Sequence, residues 1–220
     1  VVGSAIFNIL VIPALAVLVA DRNMESTRTL VHKETLFYML SVVVLFLIFA
    51  LAMVYYPVEG NTTARLTRPL AALPLIVYVL YLFLQWQDTV DYSETPDTSN
   101  INALKQWGFL LVGLLVILVA VERLVEAVIH IGEAAGTPDF LWGVTIVAAA
   151  TSLPDMLVSI QAAGKEDDVA SIANVVGSNI FDLLVVIPVG ILLLGAATIN
   201  FSIAAPMMGC LTIATTLLFI

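Results

Sequence analysis

Residues Val1–Ile12 read VVGSAIFNILVI, and residues Val175–Val186 read VVGSNIFDLLVV. The chain therefore carries one apolar motif twice. The exchange that introduces a charge is Asn8 in the first copy to Asp182 in the second. What the repeat means depends on how many membrane crossings separate the copies.

The chain has 220 residues, of which 61% are hydrophobic and 11% charged. A soluble domain is about 45–50% apolar and about 25% charged. No Asp, Glu, Lys or Arg occurs in 36–56, 70–87 or 106–121, and about 18 apolar residues suffice for a helix to cross a bilayer. Seven hydrophobic spans follow, at about 3–20, 36–56, 69–86, 106–129, 140–163, 170–195 and 200–220. The fold class is an all-α polytopic membrane protein. The first span begins without polar flanks or an initiator Met, and the last runs to LLFI, so the chain reads as cut at both ends. Cys210 is the single cysteine and forms no internal disulfide. A net charge of −9 argues against nucleic acid and anionic lipid as partners. The lipid bilayer is the partner that the composition names. No protein partner is inferable, and no cofactor is expected.

The acidic stretch QDTVDYSETPDTSN divides the chain. Residues 1–86 form one half, 87–105 a polar linker, and 106–220 the other half. Arg22, Arg28, Lys33, Lys105 and Lys165 fall in loops on one side of the membrane, and Arg65 and Arg68 on the other. The excess places the central loop 87–105 in the cytoplasm, with the cell membrane as the expected location.

The two copies enter spans one and six and so cross in opposite directions. Inverted repeats of this kind are typical of secondary transporters, whose ion sites lie near the midplane between the repeats. Asn174, Ser178 and Asp182 fall at steps of four on one helical face, with Ser4 and Asn8 as the matching pair. In the fifth span Thr151, Asp155 and Ser159 also fall at steps of four, with Ser152 adjacent. A carboxylate at the centre of a membrane helix costs at least about 2.5–3.5 kcal/mol on insertion scales. A bound cation offsets that cost, and carboxylate, hydroxyl, amide and backbone oxygens suit a hard cation such as Ca²⁺. Pro154 lacks the N–H that the Ala150 carbonyl would accept, which adds a backbone oxygen. Ala148, Ala149 and Ala150 allow close helix approach.

Bland readings compete with several of these. A lone membrane Ser or Thr usually bonds its own backbone. Glu122, Arg123 and Glu126 read as a local ion pair near the interface. His32, assigned to a loop, and His130, at a helix end, lack metal-ligand spacing and read as solvated.

GVTIVAAATSLPDMLVSI followed by SIANVVGSNIFDLLV resembles the second alpha repeat of the sodium/calcium exchanger family, within the wider cation/calcium exchangers. VVGSAIFNILVI resembles the tail of the first repeat. The resemblance implies an inverted-repeat fold with about seven of an expected ten helices present, lacking the first two and the last. The acidic motif of the first repeat is then absent. It further implies that Asp155 is the main calcium carboxylate. Thr151 and Ser152 supply oxygens for Na⁺ and Ca²⁺, and the Ala148 carbonyl serves a sodium position. Ser178 and Asp182 complete that half, with Ser4 and Asn8 opposite. Asp155 stands where many prokaryotic members have Glu, Ala150 where Gly is usual, and Pro188, where small residues are common, predicts a kink beyond the site. Asp155 with Asp182 is also similar to the potassium-dependent exchangers, which leaves K⁺ open as a transported ion.

The expected function is a secondary antiporter, not an enzyme, exchanging Ca²⁺ for Na⁺ by alternating access. A proton-coupled calcium/cation exchanger is the nearest rival, and a passive channel is another. An intramembrane aspartyl protease also needs two membrane aspartates, but its GxGD motif is missing. Asn8 and Asp182 are expected to face each other across the pseudo-twofold axis, the amide sparing the site one more like charge.

Overall fold

Charge-free apolar runs of this length must satisfy their backbone groups internally, which leaves helices as the spanning elements. The computed structural model describes residues 1–24, 28–58, 62–90, 102–137 and 139–218, without the side chains of 28–32, 88–90, 139–140 and 218. The first half contains α1 (Val2–Ala20), α2 (Arg28–Tyr55), β1 (Thr63–Thr67) and α3 (Arg68–Val90). The long helix α4 (Ala103–Ala135) opens the second half. The fifth span comes in pieces: α5 (Asp139–Trp142), a π-helical turn (Gly143–Val147), α6 (Ala148–Thr151) and α7 (Leu153–Gly164). The sixth is α8 (Asp168–Phe181), a second π turn (Asp182–Val186) and α9 (Ile187–Leu194), followed by β2 (Ala196–Asn200) and α10 (Phe201–Leu218).

Among the described residues, five helices are long and apolar enough to cross a membrane, and the bent fifth span makes six. The shorter apolar helix at the end, α10, completes the seven expected segments. Several boundaries move. The linker placed at 87–105 is shorter, because α3 runs to Val90 and α4 starts at Ala103; residues 91–101 lie outside the described residues. The side chain of Asn102 caps α4 by accepting from the Lys105 N–H at 3.2 Å. His32 falls inside α2 and not in a loop. His130 is exposed within α4, 3.9 Å from Glu133. The expected local ion pair is Arg123 to Glu126 at 3.2 Å, with both side chains exposed.

The sequence reading missed the two strands. β1 pairs antiparallel with β2, Thr63 opposite Asn200 and Thr67 opposite Ala196, so the two connections satisfy each other's backbone groups. Ala64 and Leu66 point inward from this ribbon. Arg68 donates from Nε to the Leu192 carbonyl at 3.3 Å, near the C-terminal end of α9 where a cation is favoured.

The ribbon puts the α2–α3 and α9–α10 connections on one side of the molecule. At the opposite side Arg22 grips Asp168 through two bonds of 2.7 and 2.8 Å, and Lys33 reaches Gln85 at 3.1 Å. The ends of α1, α7 and α3 therefore share a side, as the distribution of basic residues predicts.

The core lies between α1, α2, α8 and α10, around Ile9, Ile12, Tyr38, Leu45, Ile180 and Leu211. α4 stands off this core, with only Val128 and Gly132 buried.

Candidate cation site

α1 and α8 run in opposite directions, and hydrogen bonds between them fix the register. The Ser4 hydroxyl donates to Asp182 Oδ2 at 3.0 Å, and Asn8 Nδ2 donates to Ser178 Oγ at 3.2 Å. Exchanging the two motif copies turns one pair into the other, so these are equivalent contacts of an inverted repeat. The expected apposition of Asn8 and Asp182 is thereby corrected. Antiparallel crossing pairs each of them with the other copy's serine, one helical turn from where direct apposition would need them.

Asp155 arrives from α7. The missing N–H of Pro154 interrupts the helix, and Gly143–Thr151 and Leu153–Gly164 meet at 53°. Asp155 then lies in the first turn of α7, where a negative charge is favoured. Its Oδ2 accepts from Asn8 Nδ2 at 3.3 Å. Its backbone carbonyl accepts from Asn174 Nδ2 at 3.0 Å, and the same amide donates to Ser159 Oγ at 2.9 Å. Ser159 in turn donates to the Ser171 carbonyl at 3.2 Å. Asn174 and Ser159 thus fasten α7 to α8 behind the carboxylate.

The break at Ser152 also ends the expected common face of Thr151, Asp155 and Ser159, which presumed an unbroken helix. Thr151 is exposed, and its hydroxyl donates to the Val147 and Ala148 carbonyls at 2.9 and 3.1 Å. It is not brought to the carboxylates here. Ser152 is buried, and its hydroxyl has no protein partner. Ala148 is buried beside Gly3 of α1, and its carbonyl accepts the Ser152 N–H at 3.2 Å.

The resulting donor set is all oxygen. Asp155 and Asp182 bring charge, Ser4 and Ser178 bring hydroxyls, and the Asn8 amide oxygen is buried without a hydrogen-bond partner. An orphaned acceptor in a buried place calls for a compensating ligand. Among the described residues no three His, Cys, Asp or Glu side chains converge, so neutral oxygens must complete any cation shell. Asn179 went unnoticed in the sequence. It is fully buried and accepts from Asn8 Nδ2 at 3.0 Å. The signal was present, since the motif reads GSA in one copy and GSN in the other.

Comparison with known proteins settles the family. The family described as "Sodium/calcium exchanger protein" matches residues 1–87 and 105–220. This chain belongs to the sodium/calcium exchanger family. The chain is 34% identical over 136 residues to the putative antiporter CaxA of Alkalimonas amylolytica, covering 57% of this chain and 42% of that protein. It is 34% identical over 111 residues to sodium/potassium/calcium exchanger 1 of Gallus gallus, covering 50% of this chain and 17% of that protein. An uncharacterized membrane protein of Methanocaldococcus jannaschii is 32% identical over 133 residues, covering 59% and 43%. The chain thus spans under half the length of the curated relatives it matches. The solved structure of the sodium-calcium exchanger NCX_Mj, soaked with Na⁺ and without Ca²⁺, shares the fold at a TM-score of 0.62 and 24% identity. That match covers 99% of this chain and 66% of that one.

Proposed function

We propose that the protein is a secondary antiporter that exchanges Ca²⁺ for Na⁺ across the cell membrane by alternating access, with the connection between α3 and α4 in the cytoplasm. The observation that carries this reading is the crossing of two oppositely directed motif copies. There, Asp155 accepts from the Asn8 nitrogen, Asp182 accepts from Ser4, and the Asn8 oxygen is buried without a partner, all in an apolar chain. Intramembrane carboxylates of this kind mark ion pathways. Asp155 is the principal calcium carboxylate, completed by Asn8, Ser152 and the hydroxyls of Ser4 and Ser178. Thr151 and the Ala148 carbonyl join when Thr151 exchanges its backbone bonds for an ion. Asp182 adds the second charge and is the group at which K⁺ would enter.

Coupling follows from sharing. If the same oxygens hold either Na⁺ or one Ca²⁺, occupancy is exclusive and neither ion crosses without the other. A bare carboxylate cluster is costly to carry through an apolar layer, which discourages empty return. Helix α4, standing off the core, is the element free to slide and expose the site to alternate sides.

The test is radiolabelled calcium uptake by the full-length protein in sealed vesicles. Uptake against the calcium gradient is expected when Na⁺ is loaded on the opposite side. Uptake indifferent to the sodium gradient but abolished by collapsing a pH gradient would favour proton coupling.

A further inference from the structure

The two motif copies differ at a second position: Ala5 in the first is Asn179 in the second. Both are fully buried, and they touch, because Asn179 Nδ2 donates to the Ala5 carbonyl at 3.1 Å. Exchanging the copies maps this pair onto itself, so it lies on the pseudo-twofold axis.

That bond fixes which way the Asn179 amide points. A carbonyl only accepts, so the Asn179 nitrogen must face Ala5 and its oxygen must face away. The oxygen meets Asn8 at 3.0 Å. Asn8 must then present its nitrogen, whose two hydrogens are shared among Asn179, the Ser178 hydroxyl and the Asp155 carboxylate. The Asn8 oxygen is left as the buried acceptor without a partner. The backbone of α1 thus dictates, through the Asn179 amide, the orientation of the Asn8 amide on α1 itself.

We propose that Asn179 is a positioning residue that locks the Asn8 side chain with its oxygen turned to the transported cation. The two differences that involve a polar side chain, at 5/179 and 8/182, then have one cause. An amide at position 8 has unlike ends and must be oriented. The equivalent group, Asp182, has two like oxygens and needs no lock. The position equivalent to Asn179 is accordingly filled by Ala5.

This inference rests on the exchanger reading of the site, and a double-mutant cycle separates the two. Calcium affinity is measured by titration of the full-length protein, with Na⁺ titrated in parallel. Asn179→Ala is expected to weaken calcium binding about tenfold, as an oriented hydrogen-bonded ligand becomes free to turn. In an Asn8→Asp background the carboxylate presents an oxygen whichever way it turns. Asn179→Ala should then cost less than about threefold, or improve binding by removing an opposed oxygen. An equal loss in both backgrounds would mean that Asn179 merely fills space, and no loss in the native background would mean that nothing is locked; either overturns the proposal. A parent that binds neither Ca²⁺ nor Na⁺ overturns the exchanger reading and the lock together. If Asn179→Ala does not give a folded protein by gel filtration, Asn179→Ser takes its place in the same cycle.

Discussion

The two copies of the GSxIF motif begin alike and part company after residues 8 and 182. In the first, α1 runs unbroken from Val2 to Ala20, with Pro13 inside it. In the second, the helix loosens into a π turn at Asp182–Val186 before Pro188 enters the first turn of α9. The sequence explains the difference by a count. Pro13 comes five residues after Asn8, but Pro188 comes six after Asp182. A π turn holds one more residue than an α turn, so the extra residue is absorbed there. The proline then sits where its missing N–H costs little, and Asp168–Leu194 counts as one span, without the sharp bend of the fifth. A second π turn, Gly143–Val147, lies on the approach to Ser152. Both irregular turns therefore belong to the half that brings the two carboxylates.

The largest expected effect concerns the carboxylate that the first copy holds across the crossing. Asp155→Asn should weaken calcium exchange on the order of a hundredfold or more, the scale for deleting one member of a buried charge interaction. Folding should persist, because Asn174 grips the Asp155 backbone carbonyl and not its side chain. Calcium flux near that of the parent in a folded Asp155→Asn protein would remove this residue from the site.

A smaller effect is expected from making the copies alike. Asp182→Asn keeps an oxygen for the Ser4 hydroxyl to bond and removes one charge. Calcium binding should fall by less than in Asp155→Asn, about tenfold or under if its share is half of a two-carboxylate charge. The dependence of exchange on monovalent cations should change more. Measuring calcium exchange against K⁺, Na⁺ and pH for both variants decides this. If Asp182→Asn loses calcium as completely as Asp155→Asn, Asp182 is a primary calcium ligand and the two copies contribute more evenly than proposed.

The comparison also marks how far the sequence was legible. The seven apolar segments and the crossing of α1 and α8 follow from charge-free runs and from the repeat, both properties of sequence alone. The pairing of Ser4 with Asp182 needed the antiparallel register, which spacing along one helix does not contain. Thr151 was misplaced for a related reason. Steps of four define a face only where the helix is continuous, and Ser152 interrupts it. The β1–β2 ribbon was hidden because TARLT and AATIN are short and each lacks meaning without the other. Asn179 was readable but lost among near-identical neighbours.

The smallest effect tests whether the two copies are equally enclosed. Gly3 opens the first copy, and a Cβ placed there would lie 3.0 Å from the Val144 Cα and 3.3 Å from the Ala148 Cβ. The backbone atom cannot swing aside as a flexible side chain can. Gly3→Ala should therefore force α1 away from the π turn and α6, at a cost of about 1–3 kcal/mol, as for other overpacked contacts. Gly177 holds the same place in the second copy, and nothing lies within 4 Å of a Cβ added to it. Gly177→Ala should change stability by less than about 0.5 kcal/mol, and Ala's better helix propensity acts in its favour. Thermal melting of the two variants of the full-length protein in detergent makes the comparison. Because α6 carries Ala148 and leads into Ser152, Gly3→Ala should also weaken calcium binding, whereas Gly177→Ala should not. Equal losses of stability in the two variants would mean that a helix packs as closely on Gly177 as α6 does on Gly3, so that the enclosure is symmetric and the polar exchanges at 5/179 and 8/182 are what distinguish the copies at the site.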